Sequence, residues 1–569
     1  MKPKFPLFLL AASALLSGLF GFIGFRELGG DLPLSTSFYR ALQLFTLQGG
    51  DVEGDVPALL EVARFLAPAT TLGGIYAAAH ALVVGYWGRL RLRSARGHVV
   101  VCGGGDKGLA LARALARRKN MRVVVVDIEE HESLLRLRRA GVITVRGDAG
   151  RAPVLAEAGI KQAARLVCLS GDDRVNTGIA LCAASSLPAS RAGNPLEIHV
   201  HVREVAMRDI LQRNRLFEME HDPRHRIRLF NSFANRARLA LARCPLEWDA
   251  RSGLHGEAHL VLGPLGPLEK AILVHAAQVG HFRKGGRIQA HLVSSRATAD
   301  KAALLKEYPG FRNCAGLEIV PLATADGFVD AVADIARAIA PNALLTVVPN
   351  GPASTTIADA LLIGERLHDG PRLRILLDAS GDAGIRITVA ENPALAPWIH
   401  FLPDLADAID SDVLFNESLD VVARRIHGIW KREVDERIRL AELAGDPETA
   451  AAHRAKDTYR DWDALTERQK EDNRSAADHI AVKIRAVGLD PEDHETVRTA
   501  WPALDEDRLE MLARMEHERW AAVLWLAGWT PGPRDDARKT HPNLVPFDQL
   551  DEDTRQFDAD QVKGLLDLI

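Results

Sequence analysis

The residues best suited to chemistry form one short pattern, Gly103-x-Gly105-x-x-Gly108, with Asp106 and Lys107 inside it and Asp127 about twenty residues beyond. The glycines follow the apolar run Val99-Val-Val-Cys102 and open a stretch with helical spacing from Leu109 to Arg118. A second apolar run, Arg122-Val-Val-Val-Val-Asp127, ends in the acid. Glycines at this spacing permit a tight turn and let a pyrophosphate approach a helix N-terminus, while a carboxylate ending the next strand can accept ribose hydroxyls. The chemistry expected here is nucleotide binding, with a scaffold that has lost its ligand as the plainer alternative.

Further strand-like runs place the pattern in an open sheet. Gly141–Val145, Leu166–Leu169 and Ile198–Val202 alternate with helical stretches, so five strands of a parallel α/β sheet are expected. Asp148 and Asp172 fall in the loops after two of these strands, where they either face a ligand or simply turn the chain. His199 and His201 alternate with apolar residues and read as packed or edge histidines rather than metal ligands. A second set of strands is expected at 257–262, 288–293, 317–322, 344–348 and 373–377. It has Gly263 and Gly266 after its first strand, but its second ends in Val293-Ser-Ser rather than in an acid. That unit is expected to be structural. No pairing of acid, base and nucleophile stands out, so no enzyme activity is expected.

Composition narrows the classes. A chain of 569 residues exceeds a single core and predicts several domains. With 71 basic against 75 acidic residues, no global field draws it to nucleic acid. Five cysteines without CxxC spacing read as reduced, buried thiols, and no metal site is expected.

The first hundred residues differ in texture. Residues 5–25 and 66–87 are apolar runs of membrane-spanning length, and Lys2 and Lys4 before the first and Arg89, Arg91, Arg93 and Arg96 after the second place both ends of the hairpin on the cytoplasmic side. A signal peptide is the alternative for the first run. Between them Ser37–Thr46 reads as a half helix capped by Ser35–Ser37, followed by Thr46-Leu47-Gln48-Gly49-Gly50-Asp51. Gly73 and Gly74 in the second run read as a gating hinge or as a place for close helix packing.

The order span, half helix, glycine loop, span resembles the pore module of two-span potassium channels, whose filter reads Thr-Val-Gly-Tyr-Gly-Asp. Thr46, Gly50 and Asp51 match it; Leu47, Gln48 and Gly49 depart from it. The resemblance implies an oligomeric pore, and Asp51, Glu53 and Asp55 at its outer mouth point to cations. Residues 98–215, on Gly103, Gly105, Gly108, Asp127, Asp148, Asp172 and Asn176, resemble the RCK domain, the regulator of potassium conductance. That resemblance implies NAD(H), ATP or ADP at the glycine turn, a ring of lobes and a homotetramer in a bacterial inner membrane, surrounded by lipid.

From about residue 429 charged helices take over. Trp462-Asp-x-Leu-x-Glu is echoed by Phe547-Asp-x-Leu-x-Glu, as if two helix-loop units pair. Glu516-His-Glu-Arg-Trp520, Gly528-Trp529, Gly532-x-Arg534-Asp535-Asp536 and His541-Pro-x-Leu-Val-Pro546 resemble the repeat domain of ryanodine receptors over residues 455–569. The resemblance implies a sensor of nucleotide-derived signals, including signals of phage infection. Physically, Trp529 beside Arg534 and Lys539 can stack a base while the cations hold phosphate, with Asp535 and His541 in the same polar loop. His517, Trp520 and Trp525 fall at helical spacing and read as core. The whole is read as a two-helix transmembrane pore module (1–97), an RCK-type Rossmann domain (98–250), a second RCK-like α/β domain (251–428) and a mostly α-helical linker and repeat domain (429–569).

Overall fold

A computed structural model describes residues 4–30, 32–48, 55–93, 95–118, 121–189, 194–212, 222–249, 254–255, 257–282, 286–367, 372–380, 382–392 and 398–568. The chain divides into two compact units, Met1–Ala95 and Arg96–Ile569.

The first unit is a helical hairpin of α1 (Lys4–Leu28) and α3 (Ala58–Arg93), with the short α2 (Leu34–Gln43) and a 3₁₀ turn (Leu44–Thr46) between them. Leu9–Leu28 and Ala58–Ala79 are each long and apolar enough to cross a membrane. The long helices and the segment between them meet at small residues. A Cβ on Gly24 would lie 2.7 Å from the backbone nitrogen of Leu60, and one on Gly21 would lie 2.9 Å from the Leu44 side chain. Phe25, Ala41, Leu44, Leu60, Ala63 and Ala67 form the core of this unit. Ser13 and Thr70 hydroxyls hydrogen-bond across it at 2.6 Å. The short helix starts earlier than expected. Pro33 holds the N-cap and Leu34 opens the helix, so Ser35–Ser37 lie inside the first turn, because proline's fixed φ already suits a helix entrance. The second long helix likewise begins at Ala58 and runs unbroken through Pro68, Gly73 and Gly74. Gly73 packs close to Leu10, 3.1 Å from where a Cβ would stand, which favours packing over a hinge at that residue.

In the second unit, six parallel strands form the first lobe: β1 (Val99–Cys102), β2 (Val123–Asp127), β3 (Ile143–Arg146), β4 (Arg165–Cys168), β5 (Leu196–His201) and β6 (His225–Phe230). Their order is β3-β2-β1-β4-β5-β6. The sixth strand was not expected. It pairs in parallel with β5, burying His199 and His201 as interior residues. Burial brings both histidines down to a pKa of about 3, so they stay neutral.

A second lobe repeats the arrangement with β7 (Ala258–Leu262), β8 (Gln289–Ser294), β9 (Gly316–Pro321), β10 (Leu344–Val348), β11 (Arg372–Leu377) and β12 (Ile399–Phe401) in the order β9-β8-β7-β10-β11-β12. The helical tail shares a core with this lobe: Leu260, Ile272 and Phe311 cluster with Ile480, Leu512, Met515 and Leu526. A Cβ on Gly310 would stand 2.3 Å from the Trp525 carbonyl oxygen, so the two backbones touch.

The echo in the tail is a real structural repeat, and it has three members. Trp462–Ala464, Trp501–Ala503 and Phe547–Gln549 are 3₁₀ turns, each followed by a leucine and an N-cap (Thr466, Asp505, Asp551) that opens the helices Glu467–Ala486, Glu506–Leu526 and Glu552–Lys563. Each cap accepts a backbone N–H with its side-chain oxygen, and each aromatic residue is buried.

Candidate nucleotide sites in the two lobes and the tail

The glycine turn of the first lobe lies at the switch point of its sheet, between β1 and β4. The sheet order reverses there and opens a crevice beyond the strands' carboxyl ends. Gly103 has φ +106°, and a Cβ there would stand 2.9 Å from the backbone of Leu169 and Ser170. A Cβ on Gly108 would stand 1.7 Å from the Gly103 carbonyl oxygen, so the helix Asp106–Ala116 can only leave the turn through a glycine. Gly105 is different. It is exposed and caps the helix, and among the described residues nothing lies within 4 Å of where its Cβ would be. The helix N-terminus there is open to an anion.

Asp127 is half-buried at the end of β2. One carboxylate oxygen accepts the N–H of Gly104 and the other that of Glu129 at 2.9 Å. The acid therefore holds the turn closed, and the lone pairs left on both oxygens remain free for ribose hydroxyls. Lys107 packs against Phe233. Its Nζ sits 4.8 Å over the Phe233 ring, and burial, followed by the Arg203 charge, pulls its pKa down to about 8. Asp106 is exposed in the first turn of the helix. Asp148 and Asp172 both turn the chain at strand ends. Asp148 accepts the Gly150 N–H at 2.8 Å in a tight turn. Asp172 caps the helix Asp173–Ser185 by accepting from Arg174 and Val175, and these backbone donors lower its pKa. Asn176, fully buried, bonds Ser170 and the His201 carbonyl and so ties the β4 loop to β5.

The second lobe has the same turn with a different occupant. Asp300, buried on the helix Ala297–Glu307, accepts the Leu265 N–H at 3.1 Å, so an acid does clamp this turn although none ends β8. At the N-terminus of the helix Pro267–Val279 the Glu269 carboxylate folds back beside Gly266, its Oε2 2.5 Å from where a Cβ on that glycine would stand, and burial raises its pKa. A buried carboxylate thus sits where a phosphate would bind in a Rossmann lobe. Sequence reading missed both acids, since each lies in a helix rather than at a strand end.

In the tail, Trp529 is buried at 5% exposure, packed with Ala521 and Leu544, so its faces are not free to stack a base as expected. Arg468 lies 5.3 Å over its ring. Lys539, at φ +56°, donates to the Ala527 carbonyl at 2.9 Å, and Asp535 accepts from Ala537 and Arg538, so both hold the loop together. Arg534 is exposed and lies close to Lys456, whose pKa is lowered by burial and by Arg437 and Arg534. His541 stands edge-on to Trp520 at 5.0 Å. His517 donates from its Nε2 to the Val545 carbonyl at 2.8 Å and is core, as its spacing implied. In the hairpin, Thr46, Leu47 and Gln48 close the 3₁₀ turn, with Leu47 at φ +63° and the Gln48 N–H bonded to the Gln43 carbonyl. Gly49, Gly50 and Asp51, the rest of the expected filter, lie outside the described residues.

Fold and turn together define a pair of doubly wound, Rossmann-type lobes, the first with an open helix N-terminus at its glycine turn. Comparison with known proteins agrees at the level of domains. Residues 99–216 match the TrkA-N domain family, and residues 489–569 match the RyR domain family, a shorter stretch than the 455–569 expected. Among solved structures, GsuK bound to ADP is 18% identical over 72% of this chain and 97% of its own, with a TM-score of 0.39. The GsuK channel bound to NAD is 16% identical over 73% and 84%, with a TM-score of 0.38. The human SLO3 gating ring is 9% identical over 57% and 84%, with a TM-score of 0.37.

Proposed function

We propose that this chain is the subunit of an oligomeric, cation-conducting channel gated by an adenine nucleotide or NAD(H) bound at the first lobe. The observation that carries the reading is the contrast between the lobes: the helix N-terminus at Gly105 is open, while its counterpart is filled by Glu269. The TrkA-N match over residues 99–216 supports a regulatory nucleotide and gives no support to catalysis. The hairpin supports a membrane setting. It exposes Leu15, Leu19, Phe65, Leu72 and Tyr76, large apolar side chains that need lipid or neighbouring copies. Helix α3 continues covalently into β1, so a ligand that favours one arrangement of the lobes biases the helix; an allosteric coupling of about 1–3 kcal/mol changes opening roughly five- to hundredfold. In a tetramer the loop after Thr46 would line the pore. The RyR-type tail would sense a second nucleotide-derived signal, and in a bacterial inner membrane such a gate would answer a signal raised by phage infection.

The test is ion flux in proteoliposomes with potassium, sodium and chloride, with and without NAD(H), ATP and ADP, for the wild type and Gly105→Val. The expected result is nucleotide-dependent cation flux that Gly105→Val abolishes while its melting temperature stays unchanged. Flux that responds equally in both proteins sinks the first-lobe assignment, and no flux under any nucleotide sinks the channel.

A further inference from the structure

A cavity of about 490 Å³ lies at the meeting point of the first lobe, the second lobe and the tail, lined by Leu265 and Gly266 of the second lobe's glycine turn and by no glycine of the first. This is the size range of small-molecule sites. Each of the three segments contributes one wall. From the first lobe come Arg208, on the helix Val205–Gln212, and Phe230, at the end of β6. The second lobe supplies Glu307 and Tyr308, and the tail supplies Glu471. These side chains converge: the Tyr308 hydroxyl is buried among the charges of Glu307, Arg208 and Glu471.

Four polar atoms of lining residues are buried without a hydrogen-bond partner among the described residues: the His199 Nε2, the Arg208 Nε, the Arg228 Nε and the Glu307 Oε1. The other oxygen of Glu307 accepts from Lys270 at 2.7 Å. Several charges around the cavity are paired: Arg228 with Glu417 through a terminal guanidinium nitrogen, Arg296 with Asp300, and Arg474 with Asp420 and Glu467. What stays open is a pair of cationic donors on the first lobe's wall, Arg208 and Arg228, and an acceptor on the second lobe's wall, Glu307, with Phe230, Tyr308, Val274 and Leu304 as apolar lining. A buried donor or acceptor left unmade is costly, so these atoms mark where a ligand completes the wall.

We propose that this junction is a second ligand site, taking a nucleoside phosphate whose anion meets Arg208, whose base lies against the apolar lining, and whose amino group donates to Glu307. The base is the planar part, and the phosphate and the exocyclic amine supply the two complementary ends. Such a ligand touches both lobes and the tail at once, so its binding fixes the angle between the lobes. The site is separate from the glycine turn of the first lobe and stands whether or not that turn binds nucleotide.

Calorimetric titration of the full chain in detergent with AMP as the probe tests this, on the wild type, Arg208→Gln, Glu307→Gln and Gly105→Val. Melting temperatures provide the folding control; Arg208 lies half-exposed on a short helix, so its variant should fold. The expected result is an AMP site whose dissociation constant rises about tenfold or more in Arg208→Gln and in Glu307→Gln, as loss of a charge-assisted contact implies, and that Gly105→Val leaves intact. A single AMP site abolished by Gly105→Val and unmoved by Arg208→Gln overturns the proposal, as does the absence of AMP binding. A single site with the opposite pattern upholds it and removes the first-lobe reading instead.

Discussion

Asp300 does in the second lobe what Asp127 does in the first: each carboxylate accepts a backbone N–H of the glycine turn, Leu265 at 3.1 Å and Gly104 respectively. The clamps are equivalent although one acid ends a strand and the other sits on the following helix. What separates the lobes is the next position, where Glu269 caps its own helix from within and Gly105 leaves the matching helix bare.

Removing that internal carboxylate should therefore create an anion site. Glu269→Ala is expected to raise the melting temperature in millimolar phosphate or sulfate beyond any rise seen in the wild type, because the helix N-terminus and its dipole lose the carboxylate beside Gly266. In buffer without such anions the variant should be less stable by about 1 kcal/mol, as for other lost caps. Equal responses of both proteins to phosphate would mean that Glu269 does not occupy a phosphate seat.

The glycines of the first turn should separate folding from binding. Gly108→Ala places a methyl 1.7 Å from a backbone oxygen that cannot move without opening the turn, so it is expected to cost roughly 1–3 kcal/mol or more. Gly105→Ala meets no described atom and should melt within about 0.5 kcal/mol of the wild type. Thermal denaturation of both variants checks the order; a reversal would mean that the turn is built differently.

Buried histidines set the acid limit. His199, His201 and His281 are held at a pKa of about 3 by burial, against about 6.5 in an unfolded chain. Between these values the unfolded chain binds protons that the folded one refuses. The stabilisation is thus complete above about pH 6.5 and is lost as pH falls toward 3, at up to about 1.4 kcal/mol per pH unit for each histidine. Carboxylates such as Asp420, lowered to about 2, enter only below about pH 4. Melting temperature is expected to fall between pH 7 and 5, with a shallower slope in His199→Leu. A flat profile over that range would show that these side chains are hydrated.

What could be read from the chain follows how local each feature is. The first glycine turn, its two flanking strands and Asp127 lie within thirty residues, and periodicity exposes them. The repeat of aromatic turn, leucine, cap and helix was half visible; its third copy, Trp501-Pro-Ala-Leu-Asp-Glu506, was missed because proline replaces the expected aspartate. Strand β6 was missed because His225-Arg-Ile-Arg-Leu-Phe230 alternates charge with apolar residues and lacks the continuous apolar run of its neighbours. Trp529 looked available because a Gly-Trp pair before a polar loop reads the same whether the indole points in or out. The junction cavity could not be read at all, since Arg208, Glu307 and Glu471 meet only in the folded chain.

The tail carries its own test of how charge is buried. Glu516 and Lys483 pair in the interior, Arg519 adds a second contact to Glu516 at 2.7 Å, and all three side chains are only 3% exposed. Arg519 also reaches Asp472 at 3.1 Å, whose side chain is 47% exposed. Removing Glu516 leaves two cations buried with only the solvated Asp472 and the more distant Asp558 as acids, so Glu516→Gln should cost about 3–5 kcal/mol, the range for breaking a buried pair. Removing Lys483 leaves the Glu516–Arg519 pair intact, and Lys483→Met keeps the volume while dropping one desolvated charge, so its cost should be clearly smaller. Because the tail shares its core with the second lobe, loss of Glu516 should also loosen that lobe, and limited proteolysis should then cut both segments together. Equal costs for the two variants would mean that Lys483, not Arg519, is the main counter-charge of Glu516.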